Sequence, residues 1–222
     1  MKQFIQQLSA PRKQPSPRTP MSRTWFAGHD YTKVPDGILP RTYYIKVTKE
    51  HPEGVIVNEY GQKLVVRKLN KCKGVHSVYY VLKISYKRKT YDVLMHYIVF
   101  CTFHHIPKNG NQIDHIDGNS LNNHPDNLRE VTPAINRRDG GFCKHARNRG
   151  VDPAWYPIPV ILRYYEIIAE FKATHTRYDY KRLTEDDLRG FMQQAMKQVS
   201  GREYQFDDPH ALSDRDISRH QE

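Results

Sequence analysis

The stretch from residue 111 to 138 constrains this chain more than any other, because it packs two short apolar runs around a long turn and then closes them with a helix start. Ile113 leads the first run, and Asp117-Gly118-Asn119 breaks it with residues that tolerate positive φ. An Asn-rich loop, Ser120-Leu121-Asn122-Asn123-His124-Pro125-Asp126-Asn127, separates it from a second run, Leu128 to Val131, placed to pair back on the first. Thr132-Pro133 then reads as N-cap and first helical position. Pro107-Lys108-Asn109-Gly110 isolates the unit on its upstream side. The order is therefore strand, loop, strand, helix. Asp114 and His115 sit where the first strand ends, and Asn136 returns one turn into the helix. Neighbouring side chains on a straight strand point to opposite faces, so a bend at the Asp-Gly-Asn turn is expected to bring Asp114 and His115 toward one substrate group.

Those residue types suit phosphodiester cleavage. The reaction needs an activated water, charge neutralisation on the scissile phosphate and stabilisation of a leaving oxygen. A neutral His serves the first near physiological pH. A hard cation serves the other two, and Mg²⁺ takes only one or two protein oxygens while keeping water and substrate phosphate. One carboxylate oxygen from Asp114 and one amide oxygen from Asn136 meet that demand. A calcium-loop reading fails on register: with Gly118 at the sixth place, Ile113 and His124 fall at the first and twelfth, and neither supplies a carboxylate.

Charge points the same way. Lys+Arg outnumber Asp+Glu by 35 to 24, a net charge of +11 that draws the chain toward phosphate polyanions. Fifteen Tyr offer ring faces for base stacking, though many are ordinary strand residues. Three cysteines, Cys72, Cys101 and Cys143, are too few and too far apart for a disulfide framework or a paired-cysteine zinc site. A reducing cytoplasm fits them, and no run has the length of a membrane span or the form of a signal peptide.

Around the central unit, residues 1–23 carry four Pro and five Lys or Arg with no acid, and are expected to form a disordered basic arm. Residues 24–138 hold a β-rich region leading into the cleavage core. Its runs are Tyr43 to Val47, Val55 to Val57, Leu64 to Val66, Val78 to Leu82 and Tyr91 to Val93. Tyr60-Gly61 marks a turn, and Lys87-Arg88-Lys89 makes a basic hairpin tip. Leu94 to Phe103 is a short buried helix or a strand, which length alone does not settle. Residues 139–149 read as a flexible cationic connector. Arg137, Arg138, Lys144, Arg147 and Arg149 in and beside it should bind phosphate rather than read bases. In residues 150–206, Val160 to Leu162 and Tyr165 to Phe171 read as strands. Thr184 caps a helix whose Leu188, Phe191, Met192 and Met196 share one face. Residues 207–222 form an acidic tail.

Met95-His96-Tyr97-Ile98-Val99-Phe100, Ile113-Asp114-His115-Ile116-Asp117-Gly118-Asn119, Leu121-Asn122-Asn123, Asn127-Leu128-Arg129 and Val131-Thr132 through Asn136 together resemble the HNH endonuclease family. The branch they look most like is that of bacteriophage and intron-encoded homing endonucleases with a ββα-metal (His-Me) finger. The resemblance is dense over 93–138. It implies an α+β fold, a DNA substrate and a divalent cation, Mg²⁺ or Mn²⁺. By position it makes His115 the general base, Asp114 and Asn136 the metal ligands, and Asn127 the residue that pins the loop and so orients His115. His96 matches a frequent family His and is read as structural. Glu130 departs from the aromatic residue many relatives carry, and the zinc-binding Cys pairs of some relatives are absent, so no structural zinc is expected. Residues 150–206 resemble, more weakly, the three-strand-plus-helix DNA-binding domain of the APETALA type, with Trp155, Arg163, Lys172 and Arg177 for its usual Trp and basic residues. With one site per chain, a monomer is expected to nick; a double-strand break needs a dimer or a second event. Two alternatives remain open at this point: a catalytically silent DNA-binding protein, and a nuclease acting on RNA or without specificity.

Overall fold

The structure, a computed structural model, describes residues 19–70 and 78–200. The acidic tail, and the basic arm apart from residues 19–23, lie outside the described residues.

Ser22 starts helix α1 (Arg23–Ala27) by accepting a hydrogen bond from the Trp25 amide, and buried Phe26 stacks on Tyr44 at 3.6 Å. Strands β1 (Thr32–Lys33), β2 (Tyr43–Lys46) and β3 (Val55–Asn58) form an antiparallel sheet in that order. The turn expected at Tyr60-Gly61 is present, with Gly61 at φ 73° and its amide donating to the Asn58 carbonyl. The next run does not extend that sheet beyond a single bridge, Val57 to Lys63. Instead β4 (Val66–Asn70) pairs with β5 (Val78–Tyr86), which turns through Lys87 and Arg88 into β6 (Lys89–Leu94). Both turn residues hold positive φ, 47° and 62°, as a two-residue hairpin requires if its twist is to match the strands.

The apolar run after β6 is helix α2 (Met95–Phe103), with Met95, Ile98 and Val99 buried at helical spacing. Strands β7 (Gln112–His115) and β8 (Leu128–Val131) pair antiparallel, setting Asp114 opposite Arg129 and His115 opposite Leu128. Thr132 accepts from the Ile135 amide and Pro133 opens α3 (Pro133–Arg147).

Two expectations need correction here. The flexible connector over 139–149 is mostly the second half of α3, because Phe142, Cys143 and Ala146 lie on one helical face and are buried. The three-strand-plus-helix module is instead helical: α4 (Ile158–Thr174), α5 (Arg177–Arg182) and α6 (Glu185–Ser200). Its β-branched residues suggest strands, yet the buried positions of α4 are Val160, Ile161, Tyr164, Tyr165, Ile167 and Ile168. That spacing is the stripe of an amphipathic helix, so burial outweighs local β-propensity. Thr176 and Asp179 close a capping box on α5, and Thr184 and Asp187 exchange the same pair of bonds at the start of α6. The fold is thus mixed, with N-terminal strands and C-terminal helices. Among the described residues no helix is long and apolar enough to cross a membrane.

Two cores result. The first joins Ile45 and Ile56 of one sheet, Leu82 and Ile84 of the next, α2, and Leu128 of β8. The second joins α3, α4 and α6, and takes in Ile116 just past β7. The β7–β8 pair lies between them: Ile113 packs against the first core while Ile116 is buried in the second.

Candidate active site

Strand parity decides what each residue of β7 can meet. Gln112 and Asp114 lie on one side, and Ile113 and His115 on the other. On the first side the Gln112 side-chain oxygen accepts a bond of 2.8 Å from the Asn136 Nδ2 of α3. Oδ2 of Asp114 accepts from Nε and Nη2 of Arg129 across the strand pair. On the second side His115, 7% exposed, faces His96 of α2 with ring centroids 5.1 Å apart and Tyr79 of β5 at 6.3 Å. Asn136 joins Gln112 on the Asp114 side of the strand.

Nε2 of His115 lies 3.0 Å from Oδ1 of Asn123. A carbonyl oxygen can only accept, so Nε2 carries the proton and Nδ1 keeps the free lone pair. Burial lowers the His115 pKa below its ordinary value, outweighing the Asn123 bond and the nearby Asp117 and Asp114 that favour the charged form. The imidazole is therefore neutral at physiological pH. Asn123 is itself buried, and among the described residues its Nδ2 has no partner.

Asn127, 2% exposed, organises the turn after β7. Its Nδ2 donates to Oδ1 of Asp117 and to the Asn122 carbonyl, its Oδ1 accepts from the Asp117 amide, and its own carbonyl accepts from the Ile116 amide. Oδ2 of Asp117 takes a further bond from Asn122. The loop is tied outward as well, through the Asn123 amide to the Pro52 carbonyl and Ser120 Oγ to the Val78 carbonyl.

The helical part supports the same turn from below. Tyr165 of α4 donates to the Ile116 carbonyl at 2.7 Å. Arg147 of α3 donates to the carbonyls of Asp117 and Gly118, and also holds Asp152. Gly118 sits at φ 67°, and a Cβ there would lie 2.3 Å from Sγ of Cys143. Only glycine fits so close to the sulfur.

Arg129 is the centre of the charge pattern. Its guanidinium bridges Asp114 and the fully buried Asp139, and lies over the Tyr165 ring at 5.5 Å. Burial works against its charge, but the bonds to the two carboxylates overcome this and hold its pKa above the usual value. For Asp114 burial wins and raises the pKa, with Arg129 pulling it back. Arg138 takes the other oxygen of Asp139.

The residue types fit a hard cation, with one condition. Among the described residues, no hydrogen bond reaches Oδ1 of Asp114 or Oδ1 of Asn136. Nor do three or more His, Cys, Asp or Glu side chains gather there as a metal cage. A cation held here would depend on those two oxygens, water and substrate, a sparse set that suits Mg²⁺, and would share Asp114 with Arg129.

Sequence reasoning missed Arg129, Asp139, Asn123 and Tyr165. Arg129 carries a usable signal, since an antiparallel return of equal length sets it opposite Asp114. Asp139 is the single acid in a basic run. Of the five cations expected to meet phosphate, Arg147 supports the turn, Arg138 pairs with Asp139 and Arg149 donates to the Lys181 carbonyl, while Arg137 and Lys144 are exposed.

A protein-family model for HNH endonucleases matches residues 93–138, from the end of β6 through α2, β7 and β8 to the first turns of α3. Among solved structures, one described as showing DNA binding and cleavage by the HNH homing endonuclease I-HmuI is similar, at 21% identity and a TM-score of 0.38. The alignment covers 54% of this chain and 59% of that one, so this chain spans less than two thirds of that protein's length. No curated protein matches the chain.

Proposed function

From the HNH-type endonuclease domain at residues 93–138, we propose that the chain is a metal-dependent endonuclease that hydrolyses phosphodiester bonds in duplex DNA. The observation that carries this is a neutral His115 at the end of β7, next in the chain to Asp114, with Asn136 of α3 bonded to Gln112 of the same strand.

His115 takes a proton on Nδ1 from a water as that water's oxygen forms its bond to phosphorus. The 3′ or 5′ oxygen of the broken bond leaves and is protonated from solvent. Asn123 keeps the imidazole in the basic tautomer, and Asn127 fixes the turn on which His115 stands. Asp114 and Asn136 would hold a divalent cation, Mg²⁺ or Mn²⁺, through their side-chain oxygens. When bound, that ion supplies charge neutralisation at the scissile phosphate and the leaving oxygen. Arg129 restrains the Asp114 carboxylate.

Incubation with supercoiled plasmid tests the reading. Nicked circles are expected in Mg²⁺ and none in excess chelator, with nicked product preceding linear because the described residues hold one such constellation. Equal cutting in chelator would remove the metal from the account, and no cutting in Mg²⁺ or Mn²⁺ would remove the activity.

A further inference from the structure

Away from Asp114, a cleft of about 540 Å³ opens between the second half of α3, the end of α4 and α5. Lys144, Lys172, Arg177 and Lys181 line it, and no carboxylate does. All four cations are exposed, and none has an ion pair among the described residues. The one acid on α5, Asp179, is committed to the capping box with Thr176. Lys172 is held in place by two rings, lying 4.7 Å from the Tyr180 centroid and 5.1 Å from that of Phe142. The uncompensated charge is felt locally: burial first, then Arg149 and Lys172, lower the pKa of His145 on the same wall.

The α3 side of the cleft is bare. Gly140 and Gly141 sit in mid-helix, where glycine is less stable than alanine. Neither has positive φ, and a Cβ at either would meet nothing within 4 Å. Nothing among the described residues requires them. Arg137, Gly141, Lys144 and Asn148 follow one another at i, i+4, i+7 and i+11, forming a single exposed stripe on α3 that starts beside Asn136. Lys144 lies about 12 Å along the helix axis from Asn136.

We infer that this cleft seats the phosphate backbone of duplex DNA, with Gly141 leaving room for close approach and Lys144, Lys172, Arg177 and Lys181 neutralising the phosphates. The inference rests on the endonuclease reading for its choice of polyanion. Unpaired cations facing a concave surface without carboxylates hold a polyanion by counterion release, and phosphate contacts of this kind position a duplex without reading its sequence.

The test measures duplex DNA affinity against salt for the wild type, for Lys144→Ala/Arg177→Ala/Lys181→Ala, and for Gly141→Leu, with thermal melts to confirm folding. Removing one cation from its phosphate flattens the slope of log K against log salt by about 0.9, so the triple variant is expected to be shallower by roughly 2–3. Gly141→Leu, which changes no charge, is expected to weaken binding and flatten the slope by obstructing the cleft. Unchanged slopes in folded variants would overturn the assignment, as would a wild type that fails to bind DNA or an RNA competitor bound more tightly with the same flattening. Plasmid nicking by the wild type, scored in parallel, separates this outcome from failure of the endonuclease reading: a protein that binds but does not cut leaves the cleft tested on binding alone.

Discussion

Arg129 donates to the Asp114 carboxylate from both Nε and Nη2, at 3.0 and 2.8 Å, and both bonds land on Oδ2. One oxygen of Asp114 is thereby fixed, while among the described residues no hydrogen bond reaches the other. The same guanidinium reaches Asp139, which has no solvent exposure, at 2.7 Å. A single cation thus links the carboxylate of β7, a buried acid of α3 and the ring of Tyr165 in α4.

Replacing Arg129 by Met keeps its aliphatic volume and removes this link. Among the described residues Asp139 would retain only Arg138, and breaking a buried pair from one side costs about 3 kcal/mol. The urea midpoint of Arg129→Met is expected to fall accordingly, with nicking reduced as Asp114 loses its restraint. A midpoint equal to that of the wild type would show that the bridge contributes nothing to stability.

Gly118 carries a second expectation. An added Cβ would meet Sγ of Cys143 at 2.3 Å in a backbone already at φ 67°, so Gly118→Ala forces either the turn or α3 to move. Overpacking of this kind costs about 1–3 kcal/mol. Combining it with Cys143→Ala removes the sulfur and should restore part of the loss, leaving the positive-φ strain. A double variant no more stable than Gly118→Ala alone would place the difficulty in the backbone rather than in the clash with sulfur.

Glu130 gives a pH dependence. The Asn111 side chain first, then His105 and the Lys108 amide, bond its carboxylate and hold its pKa down from 4.5 to about 2. A carboxylate whose folded pKa is depressed stabilises the fold above its unfolded value and loses that contribution as pH falls through the folded one. Wild type is therefore expected to exceed Glu130→Gln in stability at neutral pH, with the gap closing between pH 4.5 and about 2. Parallel denaturation curves at several pH values read the difference directly, and a gap that stays constant to the acid end would refute the clip.

Much of the local fold around the candidate site was legible in the sequence, and the reasons differ residue by residue. Thr132-Pro133 announced α3, and the spacing of Ile113, the turn and Leu128 announced the strand pair, because caps and turn residues act locally. The side on which His115 lies depends on strand parity and on what packs against each face. In α4 the β-branched runs Val160-Ile161-Leu162 and Ile167-Ile168 pointed to strands. The helical spacing of Val160, Ile161, Tyr164, Tyr165 and Ile168 was the stronger signal, since it decides how a face is buried. Gly140-Gly141 and the surrounding cations suggested a loose connector. Three apolar side chains, Phe142, Cys143 and Ala146, hold that stretch helical against the second core. Asp139 could not be read as buried from sequence, because its burial depends on Arg129 arriving from another strand.

The central claim is that His115 is the base, and His115→Ala tests it most directly. Its side chain bonds Asn123 but holds no part of the Asp117–Asn127 network, so the turn should survive its removal. Cleavage of duplex DNA in Mg²⁺ is expected to fall by at least ~100-fold, the lower end of a general base's contribution, while affinity for the same duplex stays within a few-fold of the wild type. Undiminished nicking by a folded His115→Ala protein would contradict the account.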